Sequence, residues 1–67
     1  MNISDYLQQK GLSQAAFGAR LGVTQGLVWQ WISGHRRVTA ERAVQIHQET
    51  RGKVSKHELR PDVFGQR

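Results

Sequence analysis

The chain has 67 residues, ten Lys or Arg against five Asp or Glu, a net charge of +5, and no Cys. This length suits one small domain, near the size where a single core is marginal, with little room for a substrate-burying cleft. Disulfides, thiol chemistry and thiolate metal sites are excluded.

No apolar run approaches the roughly 20 residues of a membrane span, and the opening MNISDYLQQ lacks the basic and apolar regions of a signal peptide. A soluble cytoplasmic protein with no membrane partner is the expectation.

Asn2 predicts the cap of a first helix, with Asp5 three residues later near the positive end of its dipole. Ile3 and Leu7 form its buried edge and Gly11 ends it. Tyr6 is open between packing and a phosphate contact through its hydroxyl. Leu12 then precedes Ser13 as a hydrophobic residue precedes an N-cap.

Ser13 to Gly34, SQAAFGARLGVTQGLVWQWISG, reads as two short helices joined by a tight turn. The first is Gln14 to Leu21, Gly22–Val23 is the turn, Thr24 caps the second, and Gln25 to Ser33 is its body. Phe17, Leu21, Val28 and Trp31 recur at intervals that place them on inward faces at a 3.6-residue period. Gly22 sits where a left-handed backbone is required. Gly18 inside the first of these helices costs about 1 kcal/mol relative to Ala, which close approach of the second helix would offset. This pattern is a helix-turn-helix, whose second helix enters a DNA major groove.

Gly34 ends that helix and His35-Arg36-Arg37 forms a cationic loop. Val38 returns to the core, and Thr39 caps a fourth helix over Ala40 to Arg51, ended by Gly52. Its buried stripe reads as Ala40, Ala43, Val44 and His47 or Thr50, with Ile46 to one side. Ser55 and Glu58 have the spacing of a capping box, which predicts one helical turn to Leu59. Pro61 stops it, because Arg60 before it is pushed toward extended geometry. Val54, Leu59, Val63 and Phe64 fold back over the core, and residues 65–67 form a frayed tail. The expected fold is all-α: four helices plus a short C-terminal helical turn in a single helix-turn-helix domain over residues 1–64, with the motif at 13–34.

The stretch Ser13 to Gly34 resembles the helix-turn-helix of phage repressors of the Cro type, a lambda-repressor-like fold. With RRVTAERAVQI, TRGKVS and ELRPDVF downstream, residues 2 to 64 resemble the small Cro-like prophage proteins of the YdaS (YdaS/YdaT) family, regarded as antitoxins. In the resembling phage repressors, the positions matching Gln25, Gly26 and Gln30 commonly face bases. Those matching Gln14 and the loop after the second motif helix commonly touch phosphates.

The residues themselves point the same way. From Tyr6 to Ala40 there is no acidic residue, while Lys10, Arg20, Arg36 and Arg37 all fall there. Charge gathered on one segment is the footprint of a nucleic-acid binder. With Val28, Trp31 and Ile32 inward, Gln25, Gly26, Leu27, Trp29, Gln30 and Ser33 face out. Gln25 and Gln30 are candidates for base reading, since an amide bonds an adenine edge twice. Gly26 offers only backbone approach and Leu27 a contact to a thymine methyl; Trp29, a large indole directed outward, is a further candidate DNA contact, with packing on a partner chain as the alternative. Candidate phosphate contacts are Gln14 at a helix N-terminus, Thr24 and Ser33 through hydroxyls, and His35, Arg36 and Arg37 in the loop.

The function expected is sequence-specific DNA binding by a transcriptional regulator, a Cro-like prophage repressor inserting helix 25–33 into an operator. The alternative is an antitoxin whose main work is binding a toxin protein, with KHELRPDVFGQR as its arm and DNA autoregulation secondary. Catalysis is not expected: His35, His47 and His57 lack metal-ligand spacing, and no Gly-rich phosphate loop is present. No cofactor or metal is implied. The partners expected are double-stranded operator DNA, a second copy of the chain on that DNA, and a toxin; Ile46, Trp29 and Phe64 are the candidates for a dimer contact. The setting expected is the cytoplasm of a bacterium, at the nucleoid, with the gene bacterial or phage-borne.

Overall fold

Five hydroxyl or amide side chains, spaced along the chain, fix where helices begin. In a computed structural model describing residues 1–65, Asn2, Ser13, Thr24, Thr39 and Ser55 each accept a hydrogen bond from the backbone N–H three residues on, at 2.8 to 3.2 Å. They satisfy donors that a helix N-terminus leaves unpaired. The helices they start are α1 (Ile3–Lys10), α2 (Gln14–Leu21), α3 (Gln25–Ser33), α4 (Ala40–Glu49) and α5 (Lys56–Leu59); a sixth, α6 (Pro61–Phe64), follows. No strand occurs among the described residues. The architecture is all-α and its α2–α3 pair is a helix-turn-helix. Of the tail expected to fray, Gly65 caps α6 and residues 66–67 lie outside the described residues.

The core draws three buried side chains from α1, two apiece from α2, α3 and α4, and Val38 and Val54 from the connecting segments. Phe17, Val28, Ala43, Ile46 and Val54 are fully covered, with Ile3, Tyr6, Leu7, Leu21, Trp31 and Val38 around them. Each large one contributes roughly 1.5–3 kcal/mol. Tyr6 therefore packs, its ring tilted against Phe17 at a centroid distance of 6.1 Å.

The α2–α3 junction has no spare room. Gly22 takes the left-handed backbone, with φ 74°, and the chain reverses over Val23. A Cβ on Gly18 would stand 2.7 Å from the Val23 carbonyl oxygen and 3.2 Å from that of Thr24. The backbone entering α3 thus rests on the Gly18 Cα.

Three expectations are corrected. The fourth helix ends at Glu49, two residues early. Thr50 is buried, its hydroxyl donating to the Ile46 carbonyl (2.8 Å) and accepting from the Val54 N–H (3.1 Å). Arg51 then turns left-handed, φ 55°. The buried face of α4 is Ala43, Ile46 and Thr50, with Ala40, Val44 and His47 half-buried, so Ile46 is central and unavailable to a dimer. Pro61 ends α5 as predicted but also opens α6, because its fixed φ suits a first helical position. As a result Val63 faces solvent, while Leu59 and Phe64 pack on the core.

The C-terminal segment is fastened by polar groups as well. Arg60 donates to the Val38 carbonyl (3.0 Å) and grips Asp62 through two nitrogens, at 3.0 and 2.8 Å. Asp62 also meets Arg37 at 3.0 Å. The hydrogen bond from Arg60 and the charge of Arg37 pull the Asp62 carboxyl down to about 2 from an ordinary 3.8.

Two outcomes follow. Gly18→Ala is expected to destabilise by about 1–3 kcal/mol, since the backbone it strikes must shift, despite the better helix propensity of Ala; urea unfolding measures it. The lowered Asp62 carboxyl stabilises the folded chain above the ordinary carboxylate range and loses that effect as pH falls through about 2. Asp62→Asn is therefore expected to melt below the wild type at neutral pH, with the two melting temperatures converging as acid is added.

Candidate nucleic-acid interface

The nine residues of α3 divide by exposure. Val28 and Trp31 are buried, Leu27 and Ile32 are half-buried against the core, and Gln25, Gly26, Trp29 and Ser33 are exposed. Leu27, expected to face out, is thus partly used in packing, because it sits one turn before Trp31 on the flank of the buried stripe. Gln30 is half-buried, and its backbone carbonyl accepts from the Arg36 N–H at 3.2 Å. That bond folds the cationic loop back on the end of α3.

Further contacts shape this end. The Ser33 hydroxyl lies 2.7 Å from His35 Nδ1, and 3.3 Å from the Gln30 carbonyl to which it donates. The His35 ring stacks on Trp29, centroids 5.1 Å apart and planes 26° from parallel. Trp29 is 49% exposed, so one side of the indole rests on imidazole while much of the rest meets solvent. Ser33, His35 and Trp29 form one connected group.

The remaining candidates are placed as follows. Thr24 is exposed, with its hydroxyl accepting from the Leu27 N–H as the α3 cap. Gln14 is half-buried at the first position of α2, where backbone N–H groups are free to face an anion. Arg36 and Arg37 are exposed; Arg36 makes no ion pair within the described residues, whereas Arg37 is held by Asp62. The structure therefore joins Gln30, Ser33, His35, Arg36 and Trp29 at the end of α3, with Gln25, Gly26 and Thr24 at its start. No described contact connects Gln14 to them.

Sequence reading missed three residues that set the pose of this surface. Arg42 Nη1 and Gln45 Nε2 both donate to the Leu21 carbonyl, at 3.0 and 2.9 Å, and Arg42 donates to Gln45 Oε1 at 2.6 Å. They clamp α4 to the end of α2 just before the turn. Their i, i+3 spacing on α4 is visible in sequence, but their target is not. Asp62 is the third, and its only sequence mark is the Arg60–Pro61–Asp62 triplet.

Among the described residues no three or more His, Cys, Asp or Glu side chains gather closely enough to hold a metal ion. No helix there is long and apolar enough to cross a membrane.

Residues 7–67 match the model of the family described as bacterial toxin YdaS. An Escherichia coli K12 protein named "Putative transcriptional regulator YdaS" is 48% identical over 50 residues, covering 75% of this chain and 51% of that protein. The chain thus spans about half the length of that relative. No solved structure matches it. The family description speaks of a toxin and the relative's name of a transcriptional regulator; neither speaks of an antitoxin. With the match running across nearly the whole chain, the protein belongs to the YdaS family.

Proposed function

We propose that this protein is a sequence-specific DNA-binding regulator of the Cro-like repressor kind, using α3 in the major groove of an operator. One observation carries the reading. The polar edge of α3 is exposed and continuous with a cationic loop, on a segment without a single carboxylate from Tyr6 to Ala40. The name of the Escherichia coli relative, a transcriptional regulator, supports it. The role is binding rather than catalysis, in the cytoplasm, with the gene carried on a prophage.

In this reading Gln25 and Gln30 bond base edges, and Gly26 lets the backbone approach closely. Leu27 touches a thymine methyl with its uncovered portion. Trp29, supported by His35, lies against base edge or sugar. Gln14, Thr24, Ser33, His35, Arg36 and Arg37 address phosphates, which fix position without reading sequence. Thr24 and Ser33 still have hydroxyl lone pairs or backbone N–H groups to offer, though their side chains serve the helix ends. Arg37 exchanges Asp62 for phosphate, an exchange favoured because the pair is exposed and weakly held. A second copy pairs with the first on DNA, at half-sites one helical turn apart.

An antitoxin that works mainly through a disordered arm fits the tail less well. Leu59 and Phe64 pack on the core, Ser55 caps α5, the Gly65 N–H closes α6, and Arg60 bonds back to Val38.

Selection of bound duplexes from a random pool tests base reading. Gln30→Ala is expected to lose preference at one base pair, by about 1–3 kcal/mol, with the rest of the motif retained; uniform weakening would reassign Gln30 to the backbone. Titration across salt tests the cationic rim. Neutralising about four to six phosphates per monomer gives a log–log slope near −4 to −5, and Arg36→Gln is expected to reduce its size by about 1. A slope near zero would sink the reading.

A further inference from the structure

A second concave surface lies where the C-terminal ends of α1, α2 and α4 converge. It is a groove of about 510 Å³, and neither α3 nor the loop at 35–37 contributes a residue to it. Lys10, Arg20, Arg51 and Lys53 line it against one carboxylate, Glu49. None of these five makes an ion pair within the described residues. Lys10 and Arg20 complement the negative ends of α1 and α2, but Arg51 and Lys53 lie beyond α4 and gather additional positive charge on the same space.

Tyr6 supplies an independent observation. Its side chain lines the groove and is only 5% exposed, yet its hydroxyl makes no hydrogen bond to any described residue. No fully buried side-chain N or O atom is left without a partner in the described residues, so solvent reaches the Tyr6 Oη, and Tyr6 is one of the residues that line the groove. A buried ring thus brings one unpaired donor to a groove that four cations also line.

Like charges held together repel one another, and a multiply charged anion relieves that repulsion. A groove of this size lies in the range of small-molecule sites, and its polar rim does not suit an apolar ligand. Ammonium, guanidinium and phenol donors match phosphate oxygens, the guanidinium groups in paired fashion. We infer that this groove binds a polyphosphate group, carried by a nucleotide or free in solution. Arg20, Arg51, Lys10 and Lys53 surround the anion, and Tyr6 donates to it.

Isothermal titration of the full chain at physiological salt, with sodium triphosphate and separately with ATP, tests this. Saturation at one site per chain is expected. Tighter binding of ATP identifies a nucleotide as the carrier, and equal binding a free polyphosphate. The double substitution Arg51→Gln with Lys53→Gln is expected to weaken binding about tenfold or more. Tyr6→Phe is expected to weaken it about threefold with unchanged thermal melting, since its hydroxyl has no partner to lose. Arg36→Gln leaves it unaltered. Absence of saturation with both probes overturns the inference, as does equal weakening by Arg36→Gln. So does a loss of duplex DNA binding in the groove variants equal to that of Arg36→Gln, which would make the groove part of a DNA footprint.

Discussion

The pose of α3 depends on how the last turn of α2 is held. Leu21 is the final residue of α2, and its carbonyl lacks an intrahelical partner, as the last carbonyls of any helix do. Here Arg42 and Gln45 of α4 both donate to it. On its other side α2 meets the chain entering α3 through Gly18, where the missing Cβ lets the Val23 and Thr24 carbonyls approach. The end of α2 is gripped from two directions: by the side chains of α4, and at Gly18 by close approach together with the Val23 N–H donating to the Gly18 carbonyl at 2.8 Å. Whatever α3 presents to solvent is fixed by these contacts before any partner arrives.

Much of this was legible because it is local. A cap oxygen reaches three residues, so Asn2, Ser13, Thr24, Thr39 and Ser55 announce their helices in sequence, and all five make the bond. The inward set Phe17, Leu21, Val28 and Trp31 follows from helical period and is buried as read. What failed depends on distant partners. Which side of α4 faces inward is decided by α2 and the segment at Val54, so Ile46, placed to one side by its own helix, is central. Pro61 carries two opposite local signals, a stop for one helix and a start for the next. Only the docking of Leu59 and Phe64 shows that both apply. The Arg42–Gln45 clamp has no mark that separates it from a solvated pair until Leu21 lies opposite.

The candidate interface divides in the same way. Its polar outer edge and its loop of three basic residues can be read from spacing and charge. The internal bonding of that surface could not. Ser33 and His35 engage each other, His35 covers Trp29, and Arg37 leans on Asp62. Three of the groups named for phosphate are thus already tied to neighbours, which orders them and reduces the conformational freedom lost on binding. Arg36, with only its backbone N–H fixed, keeps its side chain free among the described residues.

Two of the four acidic residues from Glu41 onward show how a nearly balanced second half leaves the motif's charge intact. Asp62 pairs with Arg60 and Arg37, and Glu58 meets the N-terminal ammonium at 2.7 Å. Those two carboxylates fasten the tail to the first residues and to the loop rather than lying over α3. Only Arg37 is partly neutralised, and its partner is exposed to solvent on the same side, where water screens the attraction. A carboxylate of this kind orients a guanidinium without removing it from reach of a stronger anion. The tail therefore serves the surface it borders: it closes the core through Val54 and Leu59, and it holds one edge of the cationic loop in place while the polar edge of α3 stays open.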